Sequence, residues 1–284
     1  MIWKCPCGEV NLGLAEFCRN CENKFCPDYI IKQEKKSVIP EVRNKAAEAP
    51  DSVTFSDIFM IILYSFIFMI LMSILSHYIK YLNVTFAEFV KQYPSYFFIL
   101  WIAYRRICVK YNKTFIESFA LYPVSSDVIK STVLTGIVWA LSNIALGFFL
   151  PYQSENTFID EYWTERLTSR LAFATLLFLV PLLVPMVEEF LFRGILYQAM
   201  IKLFSPGKTI VIVGLLFGLI HVPQHYPNVY PIVNMAAMGI MLTYLRYRYN
   251  SLVPPLILHV VNNSVATFIM FACLFSCLIL GIKP

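Results

Sequence analysis

Adjacent carboxylates, Glu188 and Glu189, interrupt residues 168–203, a run apolar enough to cross a bilayer. A carboxylate at the centre of a hydrocarbon layer costs at least ~3 kcal/mol, so such residues face a cavity or a partner and have a task. On a helix Glu189 and Arg193, at i and i+4, share one face, whereas Glu188 points to the next. The expected outcome is one neutralised pair, Glu189 with Arg193, beside one unpaired proton acceptor, Glu188. Later apolar segments and their ends add His221, His225, His259, Asn262 and Asn263.

Counting along helices from their basic or polar ends compares the depths of these groups. Glu188 precedes Lys202 by fourteen residues, about 21 Å, and His221 follows Lys208 by thirteen, about 20 Å. Asn263 stands eleven residues past Leu252, about 17 Å, with His259 one turn away on the same face. Any one of these residues alone would serve as hydrogen-bond glue between helices. Together at one height, beside an uncompensated glutamate, they read as a water-filled catalytic chamber. Glu188 would take a proton from water, His221 would hold and polarise that water, and His259 with Asn263 would donate to a developing oxyanion.

Metal chemistry is the competing use of the same groups. His221 and His225 are four apart, but Pro223 between them breaks the face that would align the two imidazoles. There is no His-Glu-x-x-His motif, which leaves Glu188, His221 and His259 as the ligand trio for a zinc ion. The spacing favours a mechanism without a catalytic metal, with catalytic zinc as the alternative. His225 is expected in an outer loop.

These groups need several helices to position them, and the composition supplies them. The chain has 284 residues, 58% hydrophobic and 14% charged, with a mean hydropathy of +0.63. That balance excludes a soluble globular domain and predicts an all-α polytopic membrane bundle of seven to eight spans. The spans are expected at 54–79, 93–109, 128–150, 168–203, 209–222, 232–245 and 252–280, with a semi-polar interfacial segment at 114–123. No secretory signal peptide is expected ahead of them, since residues 1–53 hold no short apolar stretch with a basic flank and a small-residue cleavage site. Basic clusters at Arg105-Arg106, Lys202 to Lys208 and Arg246 to Arg248 fall on one side, which places the N-terminus in the cytoplasm and suggests the plasma membrane. Pro181 and Pro185 are expected to kink the fourth span just before Glu188. The net charge of +5 sits near span ends and indicates no nucleic-acid partner.

Ahead of the spans, residues 1–26 carry Cys5, Cys7, Cys18 and Cys21, two close pairs that can close a tetrathiolate around a structural zinc ion. Cys26 lies outside the set. Residues 27–53, with three prolines and balanced charges, read as a flexible linker. Residues 54–127 then form N-terminal membrane spans and residues 128–284 the domain that holds the polar constellation. The head resembles the Ran-binding-protein type of zinc finger at Trp3, Asn11, Cys18 and Cys21. It departs from that pattern in having one residue between Cys5 and Cys7, so RNA- or ubiquitin-binding roles do not carry over, and a plain zinc ribbon fits equally.

The polar constellation resembles the three motifs of the CAAX protease and bacteriocin-processing family, also called type II CAAX prenyl endopeptidase or Abi. Glu-Glu-x-x-x-Arg stands as Glu188 to Arg193, Phe-x-x-x-His as Phe217 to His221, and His-x-x-x-Asn as His259 to Asn263. The resemblance covers about residues 128–280 and implies a glutamate-type intramembrane endopeptidase, although members are often labelled metalloproteases. It implies that Glu188 and His221 activate water, that His259 and Asn263 form the oxyanion hole, and that Glu189 and Arg193 support them. The implied substrate is a membrane-associated peptide or protein, prenylated in some members and a bacteriocin-like peptide in others. A non-catalytic membrane regulator or immunity scaffold of the same fold, with the zinc head docking a cytosolic partner, is the alternative function.

Overall fold

The computed structural model describes residues 2–4, 10–12, 53–80, 84–149 and 179–280. The chain divides into two compact units, Met1–Glu48 and Ala49–Pro284. In the first, strands β1 (Ile2–Lys4) and β2 (Val10–Leu12) pair antiparallel, with Trp3 opposite Asn11. Cys5, Cys7, Cys18 and Cys21, residues 27–52 of the expected linker and the loop after the third expected span lie outside the described residues, whereas Val53, the last residue of that linker, is buried in the core.

The described part of the second unit is helical throughout. Helix α1 (Phe55–Ile79) opens on a capping box, in which Thr54 and Asp57 each bond the other's backbone N–H. Such a cap satisfies two of the amide donors that a helix start leaves orphaned. Helix α2 (Val84–Tyr104) begins nine residues before the expected start at residue 93, carries Pro94 inside it and continues into a π-helical turn, Arg105–Val109. The semi-polar segment after it contains the short helix α3 (Phe115–Phe119), closed by Ala120 in the left-handed conformation. Helix α4 (Ser126–Phe149) follows.

Residues 179–203 form one helical run of alternating winding: a π turn Leu179–Leu183, α5 (Val184–Glu189), a second π turn Phe190–Leu196, and α6 (Tyr197–Leu203). The run stays helical past Pro181 and Pro185. The missing proline donors are accommodated by the wider π turn and by Pro185 at the start of α5. Helices α7 (Pro206–Leu219), α8 (Val222–His225), α9 (Val229–Tyr249) and α10 (Val253–Leu280) complete the described part.

Three of these helices are long and apolar enough to cross a membrane, at Phe55–Ile79, Ser126–Gly147 and Val253–Cys273, with Pro206–Leu219 shorter. Their outward faces carry large exposed apolar side chains such as Phe59, Phe66 and Leu134, which suits a lipid environment. The chain is an integral membrane protein. The expected seven-to-eight spans are a finer statement than these three helices make.

Helices α7 and α9 pack so closely that a Cβ on Gly218 would lie 2.6 Å from the Ala236 Cβ, and one on Gly239 would lie 2.6 Å from the Gly214 carbonyl oxygen. Gly214 and Gly218 thus form a small-xxx-small stripe that lets two backbones meet. Around this contact Phe192, Val213, Phe217, Met238, Leu242 and Leu258 make one apolar cluster. A second cluster, including Ile61, Ile107, Phe119, Phe190 and Leu252, joins α1 to α3 with the 179–203 run.

Candidate active site

Glu188 and Glu189 stand at the end of α5, where the winding passes from α to π. Glu189 and Arg193 are fully buried, and the Arg193 Nη1 donates to Glu189 Oε1 at 2.8 Å. The other guanidinium donors are also used: Nη2 bonds the Gly239 carbonyl at 2.9 Å and Nε the Thr243 hydroxyl at 3.3 Å. Arg193 therefore locks the central run to α9, and its charge is met by a carboxylate and two further acceptors. The pairing offsets part of the desolvation penalty that each buried charge carries, and the second carboxylate oxygen, Glu189 Oε2, is buried without a hydrogen-bond partner among the described residues.

The same Glu189 oxygen has a second partner. His259, buried on α10, donates from Nδ1 to Glu189 Oε1 at 2.9 Å. An oxygen already accepting from Arg193 is the acceptor here, so the proton sits on the imidazole Nδ1. His221 is held likewise, its Nδ1 donating to the Phe217 carbonyl at 2.7 Å, since a carbonyl can only accept. Both rings consequently turn Nε2 toward Glu188: His221 Nε2 lies 3.7 Å from Oε1 and His259 Nε2 lies 3.5 Å from Oε2. These separations exceed a direct hydrogen bond and suit groups that act on a small molecule held between them. Glu188 is the more accessible of the two carboxylates, with its side chain 19% exposed against 0% for Glu189.

Sequence reasoning placed His221 inside a span, but α7 ends at Leu219 and His221 caps the short helix α8. A helix end at this point frees the Phe217 carbonyl for the imidazole. His225 is not set apart in a loop: it ends α8 with its ring stacked at 6.5 Å from that of His221. Asn263 lies one turn beyond His259 on α10. Its amide nitrogen approaches the Val180 carbonyl at 3.5 Å and its oxygen accepts from Asn262 at 3.0 Å. The structure thus brings Glu188, Glu189, Arg193, His221 and His259 into one cluster, with Asn263 turned toward the π turn that precedes it.

Thr243 and the Gly239 carbonyl are site supports that sequence reasoning missed. The signal available was the Gly239-x-x-x-Thr243 stripe, which in an apolar helix marks close approach of a neighbour. Glu188, His221 and His259 are donor types that zinc accepts. Among the described residues, however, no three His, Cys, Asp or Glu side chains are arranged to hold a metal ion.

All three motifs fall in one stretch that matches a family model. Residues 170–265 match the family model Rce1-like, type II CAAX prenyl endopeptidase. This Rce1-like segment contains every residue of the cluster, from Glu188 to Asn263, whereas the N-terminal head and α1 to α4 lie outside it. At family level the match supports a protease of the CAAX endopeptidase class, acting on a membrane-associated substrate. No curated protein and no solved structure matches the chain.

Proposed function

We propose that the chain is an intramembrane endopeptidase of the glutamate type. The observation that supports this reading most is the convergence of the His221 and His259 Nε2 atoms on the two oxygens of Glu188, with both Nδ1 atoms already tied down. Two carboxylates against one guanidinium leave one negative charge when the imidazoles are neutral, so the cluster has room for one mobile proton. With that proton on His259 Nε2, the ring donates at both nitrogens, to Glu189 and to an incoming carbonyl oxygen.

In the proposed reaction a water bound between Glu188 and His221 gives a proton to Glu188 as its oxygen attacks the scissile carbonyl carbon. The oxyanion accepts from His259 Nε2 and from the Asn263 amide. When the tetrahedral species collapses, the C–N bond breaks and the leaving amine takes the proton from Glu188. No metal is required at any step. Glu189 and Arg193 act through His259, fixing its orientation and offsetting charge.

The substrate is a membrane-associated peptide or protein, of the CAAX type or of the bacteriocin type. The chain sits in the plasma membrane with its N-terminus in the cytoplasm, where the zinc head meets a cytosolic partner. In proteoliposomes, a farnesylated CAAX peptide and a bacteriocin-type leader peptide are each offered to the wild type and to Glu188→Gln and His221→Ala variants. Cleavage by the wild type alone supports the reading, and cleavage retained in both variants overturns it.

A further inference from the structure

Away from the catalytic cluster, a cavity of about 380 Å³ opens between α1 and the end of α2, lined by Tyr64, Trp101, Arg105, Arg106 and Lys110 among others. The π turn builds its cationic wall. The Lys110 N–H bonds the Arg105 carbonyl five residues back, so Arg105, Arg106 and Lys110 face one opening. The three cations are not equivalent. Lys110 Nζ is neutralised by Asp57 at 2.7 Å and also bonds the Tyr111 hydroxyl at 3.0 Å. Arg105 and Arg106 have no carboxylate partner among the described residues.

The Arg106 guanidinium lies over the Tyr64 ring, with its Cζ 5.5 Å from the centroid. A guanidinium fixed by its face leaves its edge, with its N–H donors, for another group. Trp101, one turn before Arg105, is 54% exposed, and a tryptophan beside paired arginines marks the level of lipid headgroups. Beyond it Phe97 is exposed along the same helix, a surface for acyl chains. A single arginine reaching the interface needs no cavity. Two arginines without acids, one of them pinned on an aromatic ring, at the mouth of a cleft between helices, form a receptor for a planar or tetrahedral anion.

We infer that this cleft binds the phosphate of an anionic phospholipid headgroup, held by Arg105 and Arg106 against Tyr64 and Trp101. The inference stands apart from the protease reading, because no residue of the Glu188 cluster takes part. The full chain is placed in nanodiscs of phosphatidylcholine with a minor share of phosphatidylglycerol, and the lipids retained on release are counted by native mass spectrometry. Wild type is expected to retain phosphatidylglycerol preferentially, and an Arg105→Gln/Arg106→Gln variant to lose that preference by about fivefold per arginine. A Lys130→Gln/Lys208→Gln variant, equal in charge loss, is expected to keep it. No preference in the wild type, or equal loss in both variants, would overturn the inference. Displacement of phosphatidylglycerol by millimolar inorganic phosphate would overturn the lipid as occupant and assign the site to the free anion.

Discussion

The Nδ1 of His259 and the Nη1 of Arg193 donate to the same oxygen of Glu189, at 2.9 Å and 2.8 Å. One buried carboxylate thus carries both the structural pairing of the central helix and the orientation of a ring on α10.

Removing this carboxylate should destabilise the fold before it touches the chemistry. Glu189→Gln leaves Arg193 as a buried charge, and breaking such a pair costs about 3–5 kcal/mol. A Glu189→Gln/Arg193→Met variant, which removes both charges, should be less destabilised than Glu189→Gln alone. Unfolding in mixed micelles of the two single variants and the double variant gives the coupling energy. Additive losses would show that the pair does not act as a unit.

The hydrogen bonds assign a tautomer to each imidazole. In the neutral form both His221 and His259 should carry their proton on Nδ1, because the Phe217 carbonyl and Glu189 accept there. Nitrogen chemical shifts of ¹⁵N-labelled histidine in the reconstituted protein report which nitrogen is protonated. An Nε2–H tautomer at His221 would contradict its proposed hold on water.

Backbone contact between α7 and α9 should be sensitive to a single methyl group. A Cβ at position 218 meets the Ala236 Cβ at 2.6 Å and Cα at 2.8 Å, so Gly218→Ala must push the helices apart. The expected cost is about 1–3 kcal/mol in micellar unfolding, with loss of activity as His221, three residues on, shifts. Gly147→Ala, where an added Cβ meets open space, should stay within about 0.5 kcal/mol of wild type. Equal effects at the two glycines would remove the close approach as the cause.

Cys5, Cys7, Cys18 and Cys21 are proposed to hold one structural zinc ion. Metal analysis of the purified full chain should find about one zinc per chain, lost in a Cys18→Ser/Cys21→Ser variant. No zinc in the wild type, or zinc unchanged in the variant, would reject the four-cysteine site.

Much of the helical order was legible in the sequence because apolar periodicity and charge at helix ends are local signals. The i, i+4 spacing likewise anticipates the Glu189–Arg193 contact, and counting helix rise sets Glu188, His221 and Asn263 at similar depth, whereas His259, one turn lower by that count, is the residue of α10 that meets Glu188. The parts that escaped depend on partners distant in sequence. The early start of α2 at Val84 lies in a semi-polar stretch whose helicity hydropathy does not reveal. The two π turns around Glu188 depend on how freed carbonyls find donors, as Arg193's carbonyl does with the Arg246 Nε at 3.3 Å. The bond from His259 to Glu189 spans 70 residues, and no local pattern encodes it.

The central claim is that Glu188 is the base that activates water for peptide hydrolysis. It is tested most directly in cells whose only copy of the chain carries Glu188→Gln, with membrane proteins and their termini compared by mass spectrometry against cells carrying the wild type. The substitution changes one accessible carboxylate and leaves the Glu189–Arg193–His259 contacts in place, so the variant should insert and fold. The expected result is accumulation of an uncleaved membrane-associated precursor, with cleavage reduced by roughly 10²–10⁴-fold. The same set of cleaved termini in both strains, with the variant present at normal abundance, would contradict the account.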